Sequence, residues 1–248
     1  MKVKVLKSSV LLILLVGIAS CSKKNDPVPV TKKLSYQFKV LNTTVPLTSS
    51  AHGLKTDALT LVTSIGSIKW ESGYSNILAI SFAGKSDNIH NDTTSADYTF
   101  IEPFVYKVDL FGGNQLLGNV DIAKGTYHDV EIKLELKSSS SEPALYLKGI
   151  YASANGGTPV VLSLSEGNDQ LVILVTAKDL TVGAKDGYIA FINMHLDKLM
   201  AGVSTADLDA ATVSNGSIFI DQNNNTVIYD KIKANINNFS DGDYNYTN

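Results

Sequence analysis

From Leu34 onward, hydrophobic and polar residues alternate along short stretches of the chain. The clearest stretch runs from Val130 to Lys137, where four aliphatic side chains alternate with four charged ones. A period of two places successive side chains on opposite faces, so this pattern predicts a strand with one buried and one wet face. The same reasoning predicts strands at Leu34 to Val40, Leu59 to Thr63, Ser67 to Trp70, Ile77 to Phe82, Phe104 to Phe111, Leu145 to Tyr151, Val160 to Leu164, Leu171 to Ala177 and Tyr188 to Met194.

Turn signals separate these segments and indicate how they are joined. They are Ser72-Gly73, Gly112-Gly113, Gly156-Gly157 and Gly167-Asn168, and the polar segment from Asp87 to Tyr98 predicts a long loop. Many short strands at this spacing are typical of an antiparallel β-sandwich. We therefore expect a mainly β protein.

The C-terminal third changes character and predicts short helices. Ser204 followed by Asp207 is typical of a capped helix start, because both side chains can satisfy early backbone amides. After a predicted strand at Ser217 to Ile220, a helix is expected over Thr226 to Asn237, with Asn225 or Thr226 as its N-cap. Three isoleucines share one face of it: Ile228, Ile232 and Ile236. This helix should pack on the sandwich.

The N-terminal sequence predicts an export signal. Lys2, Lys4 and Lys7 precede the apolar run from Val10 to Val16, and Ile18-Ala19-Ser20 leads directly to Cys21, the sole cysteine. This arrangement resembles a bacterial lipoprotein signal, which implies cleavage before Cys21 and a diacylglycerol on its sulfur. The apolar run is too short for a membrane-spanning helix. An ordinary secretory leader is the nearer alternative, but it leaves the single thiol unexplained.

These features divide the chain into four parts. We expect a signal peptide at 1–20, a flexible tether at 21–33, a β-sandwich domain with C-terminal helical elements at 34–239 and a loose tail at 240–248. Removal of the leader takes away three lysines and no acids, so the net charge changes from −3 to −6. The chain contains no arginine, and this disfavours nucleic acid as a partner.

The sequence shows little sign of catalysis, of a metal or of a cofactor. The histidines are widely spaced, and no Gly-x-Ser-x-Gly, Gly-x-Gly-x-x-Gly or Walker loop occurs. Asp221 to Asn225 spaces oxygen ligands as a calcium loop does, but Thr226 and Ile232 stand where glycine and glutamate are required. An asparagine-rich turn explains the same residues. We therefore expect a non-enzymatic protein without a metal or cofactor.

Candidate binding residues are aromatic. Flat apolar ring faces with polar edges suit sugar rings, although aromatic residues of a sandwich more often lie in its core or pair across strands. The candidates for glycan binding are Trp70, Tyr74, Tyr106, Tyr146 and Tyr151. In addition, Asp92-Thr93-Thr94 resembles a three-residue O-glycosylation motif of exported Bacteroidota proteins, with Thr93 as the acceptor.

Two longer stretches resemble uncharacterised β-sandwich lipoproteins of Bacteroidota. They are Phe104 to Leu110 with Leu117-Gly118 and Lys124-Gly125-Thr126-Tyr127, and Met194 to Asp197 with Asp207 to Ala211, Asn225 and Tyr229 to Ile232. The resemblance implies an Ig-like or transthyretin-like sandwich in the cell envelope, anchored by lipid to the outer membrane on its periplasmic or surface face. It implies no activity.

Two functions remain open at this point. One is a non-catalytic binding or structural protein whose partner is a glycan or a protein. The other is a fimbrial or adhesin-type subunit that assembles by strand exchange. Many such pilins mature by arginine-specific cleavage, and this chain has no arginine.

Overall fold

The computed structural model describes residues 31–48, 66–86, 93–99, 106–113, 116–139, 141–153, 156–165, 170–183 and 187–247. The predicted mainly β, sandwich-like class is confirmed. The strands are β1 Thr31–Leu41, β2 Thr44–Pro46, β3 Ser67–Ser86, β4 Thr93–Thr99, β5 Tyr106–Asp109, β6 Leu116–Ala123, β7 Gly125–Lys137, β8 Leu145–Ser153, β9 Gly156–Leu164, β10 Gln170–Thr176, β11 Leu180–Val182, β12 Gly187–His195, β13 Val213–Ser214, β14 Ser217–Ile220 and β15 Ser240–Thr247. The helices are α1 Leu196–Leu199, α2 Thr205–Asp209 and α3 Thr226–Ala234.

The strands form two sheets. The smaller has the order β15-β12-β1-β6, and the larger has the order β10-β7-β3-β8-β9-β14-β13 with β11 on β7 and β2, β4 and β5 on β3. One core joins the two sheets, and its largest fully buried side chains include Trp70, Tyr36 and Phe82. The sheets also meet at one edge, where Ala177 forms a parallel bridge with Gly242 of β15. A side chain at Gly242 would lie 2.7 Å from the Ala177 Cβ, so this approach requires glycine.

Two strand pairs depart from the antiparallel pairing that was expected. β1 pairs in parallel with β12, and β14 pairs in parallel with β9. Parallel neighbours need a long crossover rather than a hairpin, and both pairs join segments far apart in sequence. Local alternation reports which residues lie in a strand but carries no signal for such distant partners.

Several predicted boundaries also differ. Ser72-Gly73 is not a turn, because β3 continues through it as one strand of 20 residues that pairs with β8 from Ser67 to Ser75 and with β7 from Ile77 to Ser86. Gly156-Gly157 lies within β9, and the predicted loop at Asp87 to Tyr98 contains most of β4, which pairs with β3. The predicted strand at Leu59 to Thr63 lies outside the described residues.

The expected tether overlaps a strand at its end, and the segment expected to be a loose tail is a strand. β1 begins at Thr31. Within it, the backbone of Lys33 pairs with Gly187 on one side and with Asp121 on the other. The Lys33 ammonium also forms an ion pair with the Asp121 carboxylate at 2.8 Å. The polar segment at 240–247 is strand β15, which pairs along β12. Polar residues form these strands because their backbone groups complete a neighbouring sheet edge, and that depends on tertiary structure rather than on hydrophobic pattern.

The two predicted helices are confirmed, with differences in detail. Ser204 caps α2: its hydroxyl accepts the Asp207 amide at 3.2 Å, and the Asp207 carboxylate accepts the Ser204 amide at 2.8 Å. α3 ends at Ala234, yet Ile228, Ile232 and Ile236 are all buried as expected. Its N-cap is Asn225 in a left-handed conformation, with no capping bond from its side chain.

Candidate functional site

Of the five aromatic candidates, the structure brings two together. Tyr74 and Tyr146 stack, with ring centroids 5.1 Å apart and planes inclined by 26°. Trp70 and Tyr151 lie in the core, 2 % and 3 % exposed, so neither can present a ring face to a sugar. Tyr106 is exposed, but it precedes Lys107 in β5 and therefore points to the face opposite Lys107.

Strand register produces the tyrosine pair. Tyr74 of β3 lies directly opposite Tyr146 of β8, so both rings stand on the same face of the large sheet. On the other edge of β3, Tyr74 pairs with Asp109 of β5. The two rings and this carboxylate thus form a row across three neighbouring strands.

Lysine side chains flank the stacked rings. The Lys107 ammonium lies 3.8 Å from the Tyr74 ring centroid, and it reaches that ring from β5, on the side away from Tyr146. The Lys148 ammonium lies 5.6 Å from the Tyr146 ring centroid. Tyr74 is therefore held closely between a cation and a ring, whereas the cation over Tyr146 lies farther from its ring centroid, so Tyr146 is the less closely covered of the two rings.

Lys107 is held in place by Glu142. Its ammonium donates to the Glu142 carboxylate at 2.6 Å, and this hydrogen bond raises the pKa of Lys107 and lowers the pKa of Glu142. Burial raises the pKa of the Tyr74 hydroxyl, and the nearby Lys107 opposes the rise only in part. At neutral pH the pair is ionised and Tyr74 carries its proton, so it keeps a hydrogen-bond donor.

A cleft of about 490 Å³ opens beside the rings. It is lined by Ser72, Gly73, Tyr74, Lys107, Asp109, Tyr146 and Lys148. Gly73 cannot be replaced without a shift, because an added Cβ would lie 2.5 Å from the Tyr146 carbonyl oxygen. The cleft combines apolar ring surface with hydroxyl, ammonium and carboxylate groups, and this mixture matches the apolar faces and polar edges of a sugar ring.

Sequence reasoning found the two tyrosines but missed their polar neighbours. Lys107, Asp109 and Lys148 had no motif to mark them, and Ser72-Gly73 had been predicted to be a turn. One signal was available. Tyr146 and Lys148 are two residues apart in a predicted strand, so they share a face.

Each of the two described histidines contacts a carboxylate. His128 contacts Asp179 and His195 contacts Asp241, each at 2.6 Å, while His52 and His90 lie outside the described residues. In the part of the chain that the structure describes, no three metal-ligating side chains of the histidine, cysteine, aspartate or glutamate type converge.

The asparagine-rich segment is a self-contained turn. Asp221 accepts the backbone amides of Asn223 and Asn224 at 2.8 and 2.9 Å, and its carboxylate also binds the Asn224 side-chain amide. The Asn225 side chain bridges Thr212 and Phe219 instead of facing this turn. These bonds support the interpretation as a turn before α3.

The predicted modification sites lie at or beyond the limits of the described residues. Cys21 and Asp92 are outside them. Thr93 is the first residue of β4, where its backbone pairs with Lys85 of β3. Among the described residues, no helix has both the length and the apolar character needed to cross a membrane.

Two further clefts contain charged groups that are paired with neighbouring side chains. One of about 630 Å³ lies between α2 and α3, where Lys231 donates to Asp207 at 2.6 Å. The other, of about 410 Å³, lies beside Asp241, whose carboxylate accepts from Asn193 and His195. In both clefts the charged groups bind one another, so they stabilise the fold.

Comparison with known proteins gives no identity: no family model, curated protein or solved structure matches this chain. The site must therefore be interpreted from its own geometry.

Proposed function

We propose that this protein is a non-catalytic, lipid-anchored binding protein of the cell envelope, and that it binds glycans at the Tyr74–Tyr146 cleft. The anchor is the acylated Cys21 predicted from sequence. The observation that supports glycan binding is the stacked tyrosine pair, which sits on the outer face of a rigid sheet beside a cleft with charged and hydroxyl side chains.

The contacts around the pair favour a preformed site. Tyr74 is fixed between Lys107 and Tyr146, and Lys107 is itself fixed by Glu142. Tyr146 therefore holds one orientation before a ligand binds. A sugar that stacks on it does not have to order this side chain, so the entropic cost of binding is smaller.

The test is electrophoresis of the purified domain through gels that contain xyloglucan, mixed-linkage β-glucan, homogalacturonan or chondroitin sulfate. We expect at least one polysaccharide to retard the protein. Tyr146→Ala should weaken that binding about tenfold, since removing one aromatic anchor at the centre of a site typically costs this much or more. Tyr106→Ala is the matched control, because Tyr106 is 41 % exposed but points to the other face.

Failure of every polysaccharide to retard the domain would count against glycan binding. Equal weakening by the Tyr106 and Tyr146 variants would show that the effect is not local to the cleft. The anchor is tested separately: a palmitate analogue should label the full chain in cells and should not label Cys21→Ala.

A subunit that assembles by strand exchange is the second candidate. One observation favours it: β1 lies between β12 and β6, paired with both, so its removal would open a groove one strand wide between two strand edges. A donor strand from a neighbouring copy could fill that groove by backbone pairing. Filaments in electron micrographs of the purified chain would support this function, and a monodisperse monomer would oppose it.

A further inference from the structure

The outer face of the large sheet continues beyond the tyrosine pair. Lys148 follows Tyr146 by two residues in β8 and therefore points the same way. Lys148 pairs with Val161 of β9, and Val161 pairs in parallel with Phe219 of β14. Because paired residues share a face, these side chains continue the surface that begins at Tyr74. We call Tyr74, Tyr146, Lys148, Val161 and Phe219 the aromatic strip.

The helices pack on the opposite face of this sheet. Tyr151 of β8 is five residues from Tyr146 and points the other way, where its hydroxyl donates to Asp209 of α2 at 2.8 Å. Leu147, Leu162 and Ile220 are fully buried on that side with the helix residues. The aromatic strip faces away from the helices, and both Val161 and Phe219 are partly exposed.

The strip is longer than a single sugar. Phe219 lies two strands from Tyr146 and two residues further along, which places their Cα atoms about 12 Å apart by standard strand spacing. That separation is close to the length of two linked pyranose rings. A ring stacked on Tyr146 would thus have its chain neighbours over Lys148, Val161 and Phe219.

We infer that the aromatic strip binds several consecutive sugars of an extended polysaccharide, with Tyr146 and Phe219 as stacking positions and Lys148 as a donor between them. This inference rests on the glycan-binding function proposed above and specifies its ligand as an internal chain segment rather than a terminal sugar.

Lys148 argues against a dry protein interface as the occupant. Among the described residues it forms no ion pair, whereas Lys107 is neutralised by Glu142. A dry protein interface over the strip would bury this ammonium without a partner, which is costly. In a second copy, Glu142 would already be paired with Lys107, so only Asp109, which accepts the Phe111 amide through one oxygen, could face Lys148. A sugar chain brings hydroxyl acceptors and leaves the ammonium in contact with water.

The test uses fragments of two, four and six sugars, cut from whichever of the four polysaccharides retards the domain, in titration calorimetry. We expect the affinity to rise at least tenfold from two sugars to six. Phe219→Ala should weaken binding of the six-sugar fragment about tenfold and leave the two-sugar fragment within about twofold. Leu174→Ala is the control, because Leu174 lies in β10, outside the aromatic strip, and its side chain is 40 % exposed.

The outcomes distinguish failure of the extended site from failure of the proposed glycan-binding function. If six sugars bind no better than two, or if Phe219→Ala binds six sugars as the parent does, the extended site is wrong. Sensitivity to Tyr146→Ala would then still support glycan binding. If no polysaccharide retards the parent domain, both the proposed glycan binding and the extended site are wrong.

Discussion

Lys231 of α3 donates to the Asp207 carboxylate of α2 at 2.6 Å, through the same oxygen that accepts the Ser204 amide. One carboxylate thus completes the capping box of α2 and joins two helices that are far apart in sequence. Burial acts to raise the pKa of Asp207, but hydrogen bonds from Lys231 and Ser204 outweigh it, so that the pKa lies below its usual value.

Replacing this carboxylate should destabilise the protein. Asp207→Asn loses the ion pair and weakens the cap, and we expect a loss of about 1–2 kcal/mol in the free energy of unfolding. The measurement is urea denaturation at pH 7. Asp230→Asn is the control, because Asp230 is exposed on α3 and forms no ion pair with a described residue. Equal stability of the two variants would contradict the role given to Asp207.

The same substitution should change the acid dependence of stability. A lowered carboxyl pKa contributes stability that is present above the unfolded value of about 3.9 and is lost as the pH falls through the folded value. The difference between the parent and Asp207→Asn should therefore shrink as denaturation is repeated from pH 6 to pH 3. A difference that stays constant over this range would show that the carboxylate charge is not involved.

Tyr151 should make stability depend on alkaline pH. Burial, with the hydrogen bond to Asp209, raises the pKa of Tyr151 to about 12. A raised pKa contributes stability that is complete below the unfolded value of about 10 and is lost as the pH rises toward the folded value. Tyr151→Phe should cost about 1–2 kcal/mol at pH 8 and progressively less between pH 10 and 12. A cost that does not vary with pH would oppose this account.

Removing the Tyr244 hydroxyl should not destabilise the protein, in contrast to Tyr151→Phe. The hydroxyl is buried with no hydrogen-bond partner among the described residues, and burial raises its pKa strongly. Tyr244→Phe removes an unsatisfied polar group, so the free energy of unfolding should stay unchanged or rise by up to about 1 kcal/mol. A loss of stability in urea denaturation would indicate that the hydroxyl is bonded.

Gly149 is required where β8 pairs with β3, opposite Trp70. An added Cβ would lie 2.4 Å from the Lys69 carbonyl oxygen, which is backbone and cannot move aside. Gly149→Ala should therefore cost about 1–3 kcal/mol. Gly183→Ala is the control, because its nearest neighbour is 3.9 Å away, and it should be neutral or slightly stabilising. Similar thermal melting of both variants would contradict the predicted clash.

The candidate site was only partly predictable. Tyr74 and Tyr146 were both named from sequence, but so were Trp70 and Tyr151, which are buried in the core. Trp70, Tyr146 and Tyr151 lie in predicted strands, and a single sequence does not show which face of each strand is covered. Lys107 was missed because its contact with Tyr74 depends on the pairing of β5 with β3.

The sequence by itself determined the mainly β class, most strand positions, the Ser204 capping box and the isoleucine face of α3. These features depend on neighbours within a few residues, so local periodicity and capping chemistry are sufficient to predict them. Only the tertiary structure decided that Ser72-Gly73 continues a strand, that the polar tail forms β15, that β1 pairs in parallel with β12, and that Tyr74 meets Tyr146. Each of these depends on backbone hydrogen bonds to a distant strand, and that partner becomes available only when the sheets assemble.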